Sequence, residues 1–267
     1  MKNVLSIAGS DPSGGAGIQA DLKTMCAMGV YGMTAITAVT AQNTRAVLGV
    51  RELEPSVVAG QIEAVFDDIR VDAVKVGMVS SAEIIAAIRD CLTRFRARNI
   101  VVDPVMVSKS GYAILREDAA LALRGLIAMA DVVTPNIPEA EMLCGFPVKT
   151  EDDMRAAAEA IAAMGAKNVL VKGGHFAGEE AGDLLLADGG FSFLRAPRVK
   201  TKNTHGTGCT LSSAIASRLA RGDDASAAVR AAKAYITRAI RDAYDVGAGA
   251  GPVGHMAELY RRAGMEV

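Results

Sequence analysis

Val4-Leu5-Ser6-Ile7-Ala8, running into Gly9-Ser10-Asp11-Pro12-Ser13-Gly14-Gly15-Ala16-Gly17, is the stretch on which the fold is decided. Its first five residues are uncharged and largely aliphatic, as in a strand buried on both faces. A glycine-rich turn follows, and from Gly17 to Met28 the apolar positions return at helical spacing. The same strand-to-helix step recurs along the chain. Met33–Val39, Ala73–Val76, Ile100–Asp103, Val132–Thr134 and Asn168–Val171 read as further short strands. Helices are expected near Ser56–Ile69, opened by Pro55, and near Ala82–Arg96, Asp118–Met129 and Asp152–Met164. Two more are expected near Gly208–Ala220 and Ala225–Tyr244. Such alternation implies an α/β protein, with a mostly parallel sheet covered by helices on both faces. One segment departs from it. Leu184–Leu186, Asp188-Gly189-Gly190 and Phe191–Leu194 spell a hairpin with a glycine turn.

The chain has 267 residues, 51 % of them apolar, which is ample for a large core and excludes a disordered polymer. No linker, repeat or low-complexity run divides it, so a single domain over 1–267 is expected. The Gly-rich tract Gly247–Gly254 reads as a terminal loop. A net charge of -1 with 4 % aromatic residues argues against nucleic acid as a partner. The uncharged stretch from Lys23 to Arg45 is too rich in Thr, Gln, Asn and Gly for a membrane span, and strand-like sequence begins without a secretory leader. Cys26, Cys91, Cys144 and Cys209 are scattered without a C-x-x-C pair, so reduced thiols and a cytoplasmic location are expected.

Several motifs compete for the chemistry. Gly15-x-Gly17-x-x-Ala20 matches a loose dinucleotide fingerprint, but strand two ends in Thr40-Ala41-Gln42-Asn43-Thr44 without the ribose-binding carboxylate. Gly-Lys occurs nowhere, which removes the Walker A loop, and G-x-S-x-G, S-x-x-K and H-E-x-x-H are also missing. His175, His205 and His255 lie far apart in sequence and default to structural or solvent-exposed roles. The strongest signal is Asn203-Thr204-His205-Gly206-Thr207-Gly208-Cys209-Thr210, which leads into an apolar helix. Its glycines expose consecutive backbone N–H groups at the positive end of the helix dipole, an anion site. Cys209 falls in the first turn, where a thiol tends toward thiolate. An ordinary Gly-containing helix start with a buried cysteine is the competing explanation.

Three further strand ends carry polar groups. Thr134-Pro135-Asn136-Ile137-Pro138-Glu139 suits a helix N-cap, and equally places Glu139 where a carboxylate can help hold Mg²⁺. Asp103-Pro104-Val105 and Val171-Lys172-Gly173-Gly174 leave two other strands, with Lys172 suited to a phosphate. Together they gather glycine, carboxylate and ammonium groups along one edge of the sheet.

These residues resemble a known family. Ala8–Lys23, Thr40–Thr44, Lys75-Val76-Gly77-Met78, Asp103–Val107, Thr134–Asn136 with Glu139 and Glu141, Lys172–His175 and Asn203–Cys209 are similar, in order, to motifs of the bacterial hydroxymethylpyrimidine/phosphomethylpyrimidine kinases of thiamine biosynthesis. The resemblance runs from Val4 to about Arg241 and implies a ribokinase-like three-layer sandwich. It further implies ATP-dependent phosphorylation of 4-amino-5-hydroxymethyl-2-methylpyrimidine, then of its monophosphate, with Mg²⁺ and a homodimer. By the same resemblance Gln42 reads the pyrimidine, and Asp21, Gly9, Met78 and Val105 complete the substrate pocket. Lys172 and the Gly206–Thr207–Gly208–Cys209 loop carry the catalysis and face the ATP phosphates, with Thr207, Asn136 and Glu139 toward the nucleotide and Asp103 and Glu139 toward Mg²⁺.

The chain also departs from the wider superfamily. Many ribokinase-like sugar kinases carry Asp at the position of Cys209, in D-T-x-G-A-G-D, and Asn203 stands for the leading Asp. The change leaves open whether Cys209, as a partial thiolate, takes the hydroxyl proton or orients the hydroxyl. Tyr112 stands where an acidic residue is common after Ser-Gly. Ser108–Gly111 is a candidate flap. The alternatives are a pyridoxal or pyridoxine kinase of the same superfamily, a non-catalytic pyrimidine-binding protein, and a nicotinamide enzyme.

Overall fold

The computed structural model describes residues 1–106, 119–174 and 179–266. The flap candidate Ser108–Gly111, Val107, Tyr112 and His175 lie outside the described residues. The chain opens with β1 (Asn3–Ser10), α1 (Gly17–Ala27), β2 (Tyr31–Gln42), β3 (Val47–Glu52), α2 (Pro55–Asp68) and β4 (Ala73–Val76). It continues with α3 (Ala82–Arg94), β5 (Ile100–Val102), α4 (Ala119–Ile127), β6 (Val132–Val133), α5 (Ile137–Cys144) and α6 (Glu151–Ala162). Then come β7 (Val169–Lys172), β8 (Glu180–Ala187), β9 (Gly190–Pro197), α7 (Thr207–Ala220), α8 (Ala225–Arg241) and α9 (Ala257–Arg262).

All described strands join one sheet in the order β3-β2-β1-β4-β5-β6-β7-β8-β9. The six central strands from β2 to β7 are parallel, while β3 at one edge and β8 and β9 at the other run antiparallel. The expected hairpin turns through Asp188 and Gly189, both at positive φ, which matches the twist of the flanking strands.

The central strands are buried on both faces, and successive side chains enter opposite cores. Leu5 and Ile7 enter one core with Val74, Val76, Ile100 and Val102, whereas Val4, Ala73 and Val101 enter another. The first core is closed by α2 to α6, the second by α1, α7 and α8. Three layers result, as the strand–helix alternation predicts.

Two elements differ from the sequence reading. β3 was not anticipated: Val47–Glu52 is a partly exposed edge strand interrupted by Gly49 and Arg51, so it lacks the apolar run of a buried strand. The tract after α8 is no terminal loop either. It packs back against Thr44 and Asn203, and α9 follows it.

The topology places the site. β1 has β2 on one side and β4 on the other, so the strand order reverses there, and ligands of open α/β sheets bind at the carboxyl ends of strands beside such a reversal. The carboxyl ends of β1, β4, β5, β6 and β7 carry Gly9, Gly77-Met78, Asp103, Thr134–Asn136 and Lys172 along that one edge.

Candidate active site

A cavity of about 1370 Å³ opens on this edge. Of the residues singled out in the sequence, Gly9, Gln42, Met78, Asp103, Val105, Asn136, Glu139, Lys172 and Gly206–Cys209 all stand on its wall. Asp21 does not.

α7 begins bare. Its N-cap is Gly206 in the left-handed region (φ 78°), and no side chain caps it. Thr210 N is the first amide to bond back into the helix, to Gly206 O, so the amides of Thr207, Gly208 and Cys209 precede any intrahelical acceptor, although Thr207 N makes a long bond of 3.4 Å to Thr204 O just before the helix. A side chain at 206 would run into the Gly15 carbonyl, which fixes this helix start against the first glycine turn. A β-carbon at 208 would lie 3.2 Å from Asp103 Oδ2 and 3.4 Å from Lys172 Nζ. The anion-binding end of α7 therefore sits between the glycine turn and a cluster of charged groups.

That cluster is a lysine between two carboxylates. Lys172 Nζ donates to Asp103 Oδ1 at 2.8 Å and lies 4.0 Å from Glu139 Oε2, with the lysine side chain only 15 % exposed. Thr134 Oγ1 also donates to Asp103, at 3.1 Å. Burial works against the charged carboxylate of Asp103, but Lys172 and Lys75 overcome it and hold Asp103 below its usual range. Burial likewise works against the Lys172 ammonium, and Asp103 and Glu139 together hold its pKa up. Glu139 is left over: burial first, then the neighbouring Asp103, push it up to about 7.

Asn136 and Glu139 do form the capping box that their spacing suggests, Asn136 Oδ1 accepting from Glu139 N and Glu139 Oε2 from Asn136 N. The cap and the cavity wall are the same residues. Among the described residues no group of three or more His, Cys, Asp or Glu converges as a metal cage. Two carboxylates facing one ammonium suit Mg²⁺, which is held by one or two carboxylates beside phosphates and water.

Asp21 requires a correction. It is fully buried behind the cavity, where it accepts from Lys75 Nζ at 2.8 Å, Ser6 Oγ at 2.5 Å and Ser213 Oγ at 2.7 Å. With no exposed surface and three donors of the chain on its two oxygens, Asp21 does not reach the cavity. Lys75 is itself fully buried, and although burial disfavours its charge, Asp21 keeps it an ammonium. The two tie β4, β1, α1 and α7 together beneath the site.

Cys209 requires another. The helix start was expected to make it a partial thiolate, but burial outweighs Lys75 and pushes the thiol up to about 11. It is protonated at neutral pH.

His205 also departs from its default. It lines the cavity, and its Nε2 lies 2.8 Å from Asp11 Oδ2 and 3.3 Å from the Gln42 amide. Asp11 accepts besides from Ser13 N, Ser13 Oγ, Gly15 N and Ala16 N. Burial raises this carboxyl, yet His205, Ser13 and Ala16 hold it far below the carboxylate range. His255 keeps its structural role, buried against Thr210 Oγ1 at 2.9 Å.

Other cavity residues were not singled out from the sequence. Gly249 and Ala250 donate to Thr44 and close one wall, and the glycine spacing at 247, 249, 251 and 254 was the available signal. Ile236, Thr237 and Ile240 of α8 and Val199 after β9 form another, for which the sequence carries no local signal.

The fold is that of the ribokinase-like kinases, with an anion-binding helix start and a charged cluster at one edge of the sheet. The phosphomethylpyrimidine kinase family model matches residues 11–254, and the chain belongs to that family. It is 54 % identical to the hydroxymethylpyrimidine/phosphomethylpyrimidine kinase of Rhizobium meliloti over 96 % of this chain and 98 % of that one. It is 51 % identical to the thiamine biosynthesis bifunctional protein ThiED of Geobacter sulfurreducens, covering 95 % of this chain but only 52 % of that longer protein. Among solved structures, the ADP complex of Bacillus subtilis pyridoxal kinase superposes with a TM-score of 0.91 at 40 % identity, covering 97 % of this chain and 99 % of that one.

Proposed function

We propose that the chain, folded as one kinase domain, transfers the γ-phosphoryl of ATP to the hydroxymethyl group of 4-amino-5-hydroxymethyl-2-methylpyrimidine, and then a second to the resulting monophosphate. The carrying observation is the uncapped start of α7, set between the glycine turn and the Asp103–Lys172–Glu139 cluster in one cavity. Phosphoryl transfer asks for alignment and charge neutralisation more than for covalent chemistry. The amides of Thr207, Gly208 and Cys209 bind the transferring phosphoryl, and Lys172 balances its charge. Asp103 and Glu139, with Asn136 beside them, would hold Mg²⁺, whose charge would offset that of the phosphates when bound. The nucleotide lies along Val199 and the Ile236–Thr237–Ile240 face.

The alcohol lies between Gly9, Gln42, Met78 and Val105. Its oxygen attacks phosphorus as the bond to the ADP oxygen breaks. Cys209, a neutral thiol, orients that hydroxyl rather than taking its proton. The hydroxyl proton leaves late, to phosphoryl oxygen or water, in keeping with a loose transition state.

A homodimer and a cytoplasmic location complete the reading. The four cysteines are free, and no described helix is long and apolar enough to cross a membrane. Light scattering on the purified chain tests the dimer.

The activity is tested by coupled ADP release with the pyrimidine alcohol, followed by ³¹P NMR of the products. A monophosphate that converts to a diphosphate is expected. ADP release that never responds to the pyrimidine refutes the reading, and turnover of pyridoxal alone transfers the chain to the pyridoxal kinases.

A further inference from the structure

Asp11, His205, Gln42, Thr40 and Ser10 form a continuous polar chain along the substrate side of the cavity. Asp11 takes four donors besides His205, at Ser13 N, Ser13 Oγ, Gly15 N and Ala16 N. With Ser13 on Oδ1 and the Gly15 and Ala16 amides on Oδ2, the carboxylate is an ionised acceptor at both oxygens, so the atom that meets Oδ2 at 2.8 Å must bring the proton. His205 is therefore protonated at Nε2, whether or not the ring carries a second proton.

The consequence falls on Gln42. As placed, its amide nitrogen lies 3.3 Å from the same His205 Nε2, and a ring nitrogen that already carries its proton cannot accept another. The Gln42 oxygen, not its NH₂, must face the ring. A half-turn of the amide then brings the NH₂ to Thr40 Oγ1, 3.4 Å away. Thr40 can receive it there, because its own proton goes to Ser10 O at 2.8 Å. The Gln42 and Thr40 protons then each have one acceptor, and the His205 Nε2 proton is shared, chiefly with Asp11 at 2.8 Å and secondarily with the Gln42 oxygen at 3.3 Å.

We propose that His205 is a specificity-determining positioning residue, locking the Gln42 amide so that one free lone pair and one free N–H face the substrate in fixed order. The inference rests on the reading that Gln42 faces the pyrimidine. An aminopyrimidine offers the complementary pair, an exocyclic amino donor beside a ring-nitrogen acceptor. A 3-hydroxypyridine carries its hydroxyl one carbon further from the ring nitrogen, so it cannot match both. A glutamine free to turn would serve either ring. Held in one sense, it favours the first.

The test is a double-mutant cycle on the full chain, with His205→Phe, Gln42→Leu and the pair, assayed for the aminopyrimidine alcohol. His205→Phe is expected to lower kcat/KM by roughly tenfold or more, through KM, because a polar site with its partner misaligned rejects its ligand. In the Gln42→Leu background the same change should cost little, since the amide it orients is gone. Equal losses in both backgrounds, or a loss confined to kcat, overturn the inference. ¹⁵N NMR of the wild-type imidazoles needs no variant and covers the case in which His205→Phe does not fold: a protonated Nε2 on His205 is expected, and a bare Nε2 overturns the inference. Failure of the functional reading shows separately, as a wild-type enzyme silent on the pyrimidine alcohol, and that result removes the inference with it.

Discussion

Replacing Asp21 by leucine keeps the bulk of the side chain and removes its charge. The Lys75 ammonium, fully buried and 2.8 Å from Asp21, would lose its counter-charge, and the Ser6 and Ser213 hydroxyls would lose an acceptor. Breaking one side of a buried ion pair costs about 3–5 kcal/mol, because the surviving charge stays buried without compensation. For a chain of this size each kcal/mol lowers Tm by roughly 2–4 °C, so a drop on the order of 10 °C is expected. The assay is urea unfolding of Asp21→Leu, Lys75→Met and the double variant at neutral pH. The double variant should be more stable than either single one, since replacing both charges by apolar groups is often nearly neutral. Because Asp21 lies behind the cavity, folded Asp21→Asn should keep its pyrimidine KM within about twofold. A cost below about 1 kcal/mol for Asp21→Leu, or strict additivity in the double variant, would refute the reasoning. A large rise in KM for Asp21→Asn at unchanged Tm would return the residue to the substrate.

Two further outcomes follow from the titrating groups of the cavity. Cys209→Ala should cut kcat by ~100-fold while substrate affinity stays near normal, as for one lost oriented donor, and Cys209 in the wild-type chain should resist iodoacetamide at neutral pH and react only as pH nears 11. Fast alkylation at pH 7 that depends on Cys209 would contradict a half-buried thiol held protonated. Glu139 holds a proton up to about 7 in the folded chain against 4.5 for an ordinary glutamate. Between those pH values the native state binds the extra proton, so stability without Mg²⁺ falls as pH rises, by roughly 3 kcal/mol across the window. Glu139→Gln should flatten that slope in urea titrations at successive pH values, and an unchanged slope would move the effect to another group.

Sheet, helices and hairpin were legible because each rests on a short-range pattern. Val4–Ala8 and Ile100–Val102 are apolar on both faces over a few residues, and Asp188-Gly189 carries the hairpin turn in its own backbone preferences. The bare start of α7 was legible for the same reason, since Gly206 and Gly208 are local. β3 escaped because an edge strand needs no continuous apolar run.

The states of the site residues belong to the tertiary structure. His205 meets Asp11 across 194 positions, Ser213 meets Asp21 across 192, and Lys172 meets Asp103 across 69. From sequence, Asp21 after the glycine turn and Gln42 at the end of strand two are both polar residues beside a motif, and nothing local says which one faces the cavity. Cys209 shows the same limit: the helix start alone favours a thiolate, and only packing against buried neighbours reverses it. Electrostatic states depend on burial and on charges brought close through space, which no local pattern of residues encodes.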